Sequence, residues 1–110
     1  MTLDDPVLAK VRRRLDEVYG DRLARAVLFG SPARGDHRSD SDYDVPVFLD
    51  ARPDCWRELD RLAVMSNEIL DENGAVFDLK PYSIQELWDR TPLMGEIRRE
   101  GINIAEPPPP

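Results

Sequence analysis

Residues 30–44 read Gly-Ser-Pro-Ala-Arg-Gly-Asp-His-Arg-Ser-Asp-Ser-Asp-Tyr-Asp, and two kinds of chemistry meet in this run. Gly30 lets backbone approach an anion with no Cβ in the way. Ser31 adds a hydroxyl and backbone amides, and a short helix starting near Pro32 would add its positive end. Arg34 offers a planar fork suited to phosphate oxygens. Asp42 and Asp44 lie two apart, so on a strand both carboxylates face the same side. Mg²⁺ favours carboxylate and phosphate oxygens, and such a pair can grip one ion or bridge two. Two ions about 4 Å apart stabilise both the attacking and the leaving oxygen of a displacement at phosphorus. The run reads as a nucleotidyl-transfer site, with Gly30, Ser31 and Arg34 on the nucleotide and Asp42 and Asp44 on metal.

Plainer readings exist for each part. The chain holds 22 acidic residues in 110, so an Asp-x-Asp pair alone is weak evidence, and a lone Gly-Ser is most often a turn. Asp40, Asp42 and Asp44 mimic the start of a calcium loop. That loop needs Gly at its sixth position and Glu at its twelfth, where this chain has Val45 and Ala51. Order and flanks favour the transfer site: the strand Ala26–Phe29 feeds the turn, and a second strand, Val45–Leu49, leaves the acids. Pro46 sits inside that second strand and cannot donate a ladder hydrogen bond, which calls for an open edge or a bulge there.

The elements that must carry these residues follow from periodicity and punctuation. Asp5 caps a helix starting at Pro6 and ending before Gly20, with Val7, Leu8, Val11, Leu15 and Val18 on its buried face. A second helix is expected from Pro53 to about Asp71, with Trp56, Leu59, Leu62, Ile69 and Leu70 inward. Ala75–Lys80 is a short apolar strand bounded by Asn73-Gly74 and Pro81, with one acid, Asp78, in its middle. A carboxylate in an apolar strand costs free energy unless it is paired or bound to metal, or unless it faces solvent on an alternating strand. Ser83-Ile84-Gln85-Glu86 is a capping box opening a third helix through Arg90, and a fourth helical piece covers Leu93–Glu100 until Gly101. The fold class is α/β (α+β): a small mixed β-sheet flanked by helices. Tyr43 should point away from the acids and into the core. Trp56 and Trp88 read as core or interface anchors, and His37 as solvated.

Gly30-Ser31, ten residues, then Asp42-x-Asp44 resembles the signature of the DNA polymerase beta superfamily of nucleotidyltransferases. With Ala33-Arg34-Gly35 in the gap and Ser41 before the first acid, the chain looks most like its minimal nucleotidyltransferase (MNT) group, over roughly residues 5–105. The resemblance implies that superfamily's fold, and Asp78 as the third metal-site acid, which helps to deprotonate the attacking hydroxyl. It implies two Mg²⁺ ions, ATP as donor, and a HEPN-type toxin protein as partner. In that reading the chain is an antitoxin that places AMP on a tyrosine hydroxyl of its partner. Two alternatives stay open: a non-catalytic antitoxin acting by contact, and transfer to a small molecule such as an antibiotic.

Size and charge bound these readings. The chain should form one domain over residues 1–106, with the all-proline residues 107–110 as an extended tail. A net charge of −7 argues against direct nucleic-acid binding, which needs Lys and Arg on phosphates. Cys55 is the single cysteine, so no internal disulfide can form, and a cytoplasmic location is expected. No apolar run reaches the length of a membrane span, and Met-Thr-Leu-Asp-Asp-Pro lacks a signal-peptide core. A homo-oligomer is left open.

Overall fold

A computed structural model describes residues 6–29, 43–50 and 54–105, except the side chains of Cys55 and Ala105. Helix α1 (Pro6–Tyr19) leads through a 3₁₀ turn (Gly20–Arg22) into strand β1 (Leu23–Leu28). Strand β2 (Tyr43–Leu49), helix α2 (Cys55–Asn73) and strand β3 (Phe77–Ser83) follow. A 3₁₀ helix (Ile84–Trp88), helix α3 (Pro92–Glu100) and strand β4 (Ile102–Ala105) complete the described order. The four strands form one mixed sheet in the order β3-β2-β1-β4. Strand β1 is antiparallel to both β2 and β4, and β2 is parallel to β3. A parallel pair cannot be closed by a hairpin, and α2 supplies the crossover.

The alternation of side chains on each strand sorts the molecule into two apolar layers. Ala26, Leu28, Val45, Val47, Leu49, Phe77 and Leu79 pack on α1 and α2 through Leu8, Val11, Leu15, Leu62, Met65 and Ile69. The intervening residues turn to the other face. There Val27 and Phe48 meet Leu87, Met94 and Ile97, with Phe29 and Tyr82 packed beside them. Both faces of β2 are therefore covered, and Val45 to Leu49 are all buried. The acids of the sheet belong to the α3 face.

Local chemistry sets the helix ends. Asp54 accepts from the Arg57 amide (3.3 Å) to open α2, and Thr91 accepts from the Met94 amide (3.2 Å) to open α3, whose first residue is Pro92. Helix α2 ends at Gly74, whose φ of 70° is left-handed and whose amide donates to the Leu70 carbonyl. The Ser83–Glu86 capping box forms as expected, but it opens a 3₁₀ helix that stops at Trp88. Gly101 follows α3 at a position that leaves no room for a side chain: a Cβ there would sit 2.3 Å from Val27 Cγ1 and 2.6 Å from the Ile97 carbonyl oxygen.

Several expected faces are corrected. The inward face of α2 is Glu58, Leu62, Met65 and Ile69, while Trp56, Leu59 and Leu70 are exposed. Glu58 is the reason: this carboxylate is buried and held by Arg22 (3.2 Å) and Arg61 (3.6 Å), so it takes an inward position that charge alone would deny it. Tyr19 is buried at the end of α1 and Val18 is exposed. Trp88 is 63% exposed and is not a core anchor. Strand β3 runs through Pro81 to Ser83. It is an edge strand, and the Tyr43 amide donates to the Val76 carbonyl (2.9 Å). Alternation from Val76 turns the Pro81 nitrogen to the open side, where no donor is needed.

Candidate active site

Tyr43 stacks on Phe77 at 4.7 Å between ring centroids, on the α1–α2 face. The next residue of each strand turns the other way, so Asp44 and Asp78 project from the α3 face of the sheet. They are register partners on neighbouring parallel strands. The Asp44 carbonyl accepts from the Phe29 amide (2.8 Å), which ties the end of β1 to the same point. Two carboxylates are thereby aimed into one space by three strands, each fixed by its own ladder.

That space is a cavity of about 160 Å³ between the sheet and α3. Phe29, Pro46, Tyr82, Leu93 and Ile97 give it apolar walls, and Asp44, Asp78 and Lys80 line it with charge. Phe48 stacks on Tyr82 (centroids 5.5 Å apart) and so supports one wall. Lys80 Nζ lies 3.3 Å from Asp78 Oδ2. Its pKa is raised above the ordinary lysine range, first by the hydrogen bond to Asp78, then by that carboxylate's charge. Among the described residues Lys80 is the one cation lining the cavity, and the sequence reading missed it. The signal was available: Lys80 is two residues from Asp78, which on a strand is the same face.

Two expectations about this region change. Asp78 is 45% exposed at its side chain on a strand that alternates buried and exposed residues, so a desolvation argument does not single it out. Its register with Asp44 does. Pro46 sits at neither an open edge nor a bulge: β2 is an inner strand, and its pairing with β1 runs past Pro46 without a shift. Ala26 faces Val47, and three residues further along β1 Phe29 faces Asp44, so the offset is constant across Pro46. Since the Asp44 carbonyl points to β1, alternation points the Pro46 nitrogen there too, and the ladder skips one donor opposite Val27. The shift in the β1–β2 register lies at Leu23–Arg25, at the far end.

Gly30, Ser31, Arg34, Asp42 and His37 lie outside the described residues. Among the described residues no group of three or more His, Cys, Asp or Glu is placed to hold a metal ion. The described pair still has the right donor chemistry for Mg²⁺, two hard carboxylates on one face beside open space, and Asp42 adjoins β2 in sequence. No described helix is long and apolar enough to cross a membrane.

The model of the nucleotidyltransferase domain family matches residues 8–99, which takes in both acid-bearing strands and the run between β1 and β2. The chain belongs to the nucleotidyltransferase domain family. This nucleotidyltransferase is 34% identical over 98 residues to the "Putative protein adenylyltransferase MJ0141" of Methanocaldococcus jannaschii, covering 89% of this chain and 95% of that one. Its fold matches two solved toxin–antitoxin structures. One is described as a toxin–antitoxin with AMP-PNP (TM-score 0.59, 17% identity), the other as a mutant of the toxin–antitoxin MntA-HpeT (TM-score 0.60, 16% identity). Each match covers 91% of this chain and 73% of the other.

Proposed function

We propose that this nucleotidyltransferase transfers AMP from ATP to a hydroxyl of a partner protein, and that it acts as the antitoxin of a HEPN-type toxin. The observation that carries the chemistry is the register pairing of Asp44 with Asp78, both lining one cavity. The relative named as a protein adenylyltransferase supports AMP as the transferred group and protein as the acceptor. The toxin–antitoxin neighbours, one of them with AMP-PNP, support the donor and the biological setting.

In this reading Asp42, Asp44 and Asp78 would hold Mg²⁺, two ions in all, and Gly30, Ser31 and Arg34 would receive the triphosphate. A bound cation would supply charge neutralisation for the transfer at phosphorus. Asp78 takes the proton of the acceptor hydroxyl as its oxygen bonds to the α-phosphorus. The bond from that phosphorus to the bridging oxygen breaks, and pyrophosphate leaves with the electron pair. In this reading the acceptor comes from another molecule, and binding that molecule supplies the orientation on which much of the rate depends.

Calorimetry tests the metal requirement. Asp42 and Asp44 would repel a bare triphosphate, so ATP should bind clearly with Mg²⁺ and little in chelator. Equal affinity in both conditions overturns the arrangement.

A further inference from the structure

Lys80 is unexplained by the scheme above. It lies two residues beyond Asp78 on the same face, and its ammonium sits 3.3 Å from the carboxylate expected to hold a cation. Both side chains are solvated, Lys80 at 58% and Asp78 at 45% exposure. An ion pair so exposed is weak and exchanges readily. Its position is not arbitrary, because Lys80, Asp78 and Asp44 all line one cavity. Together these three side chains carry a net charge of −1, and a bound divalent cation would bring the group to +1, a sign that suits polyphosphate.

We propose that Lys80 is the resting counter-ion of the site: it holds Asp78 when no cation is bound, yields it when one binds, and then turns its ammonium to the polyphosphate of the donor. This rests on the reading of Asp78 as a cation ligand. Two carboxylates facing one cavity without metal repel one another, and the Lys80 ammonium relieves that repulsion without closing the site. A compact charge on a flexible stem can make both contacts by rotamer changes alone. The same exchange makes cation and donor bind together, since the ammonium is freed for phosphate only when the carboxylate is taken.

The test uses Mn²⁺ alone, titrated into nucleotide-free protein and read by electron paramagnetic resonance of the free ion. Lys80→Met should tighten Mn²⁺ binding roughly two- to five-fold, because a competitor for Asp78 is gone. In an Asp78→Asn background the same change should have little effect, since the competition runs through that carboxylate. In transfer assays Lys80→Met should raise KM for ATP about ten-fold, with Lys80→Arg closer to wild type. Unchanged or weaker Mn²⁺ affinity in Lys80→Met overturns the proposal, as does an equal gain with and without Asp78. An unchanged KM overturns the handover to polyphosphate. Failure of the wild-type protein to bind Mn²⁺ at all would instead overturn the metal reading on which this rests.

Discussion

Replacing Asp78 by Asn removes one carboxylate and leaves its shape, so it separates chemistry from folding. Neighbouring strands lie about 4.8 Å apart, and the register pairs Asp78 with Asp44. Two unit charges about 5 Å apart repel by roughly 0.8 kcal/mol in water and roughly 3 kcal/mol at an effective dielectric of 20. Asp78 is 45% exposed, so screening keeps the real figure near the lower value. The variant also loses the Lys80 ion pair, itself worth about 0.2–1 kcal/mol when exposed. The two losses oppose each other, and stability should stay within about 1 kcal/mol of wild type, a few degrees in Tm. Transfer should fall by about 10²–10⁴, the usual contribution of a positioned proton acceptor, while ATP with Mg²⁺ still binds. Asp44→Asn should impair binding and transfer together. Thermal melts and single-turnover transfer on the same preparations decide it. A wild-type transfer rate in Asp78→Asn would place this carboxylate outside the chemistry, and a loss above about 3 kcal/mol would make it a structural residue.

Tyr19 is pushed up to about 12, first by burial and then by the Glu58 carboxylate. A folded value above the unfolded 10 gives stability that is complete below about pH 10 and lost as pH rises to about 12, roughly 3 kcal/mol in all. Urea midpoints across that window should therefore fall more steeply for wild type than for Tyr19→Phe, and parallel curves would refute the shift. Gly101→Ala should cost about 1–3 kcal/mol, because Val27 and the Ile97 carbonyl must move aside for the methyl group; an unchanged Tm would contradict this. Pro46→Ala should keep stability within about 1 kcal/mol, the regained hydrogen bond to β1 offsetting the looser unfolded chain. Its new amide should resist hydrogen exchange, and exchange at the rate of an open amide would show that the nitrogen does not face β1.

The outline of the fold was legible wherever one strong local signal stood alone. Pro6 before Val7 to Val18 marked α1, and the Ser83–Glu86 box marked a helical start; Asn73-Gly74, read as the boundary of the next strand, is also where α2 ends, two residues past the expected Asp71. The strand β4 was missed because Ile102–Ala105 has four residues and no turn chemistry of its own after Gly101; it exists because β1 offers an open edge. The face of α2 was misread because Glu58 is buried between Arg61, one turn along the same helix, and Arg22, 36 residues away in sequence, and the second of these is a tertiary fact. The same limit holds at the site. Asp44 and Asp78 were nameable from spacing and resemblance, yet their partnership depends on a parallel register that no local pattern states. Lys80 went unremarked because a lysine on an exposed strand face is usually only solvated, and its meaning comes from the cavity it shares.

The claim on which the rest depends is that this site moves AMP onto a protein. Purified HEPN-type partner should be incubated with this nucleotidyltransferase, ATP and Mg²⁺, and weighed by intact mass spectrometry. The account predicts a gain of one or more AMP units, absent in chelator and absent with Asp44→Asn. A partner that is bound tightly and neutralised with no change in mass would contradict it, and would make the protein an antitoxin that works by contact.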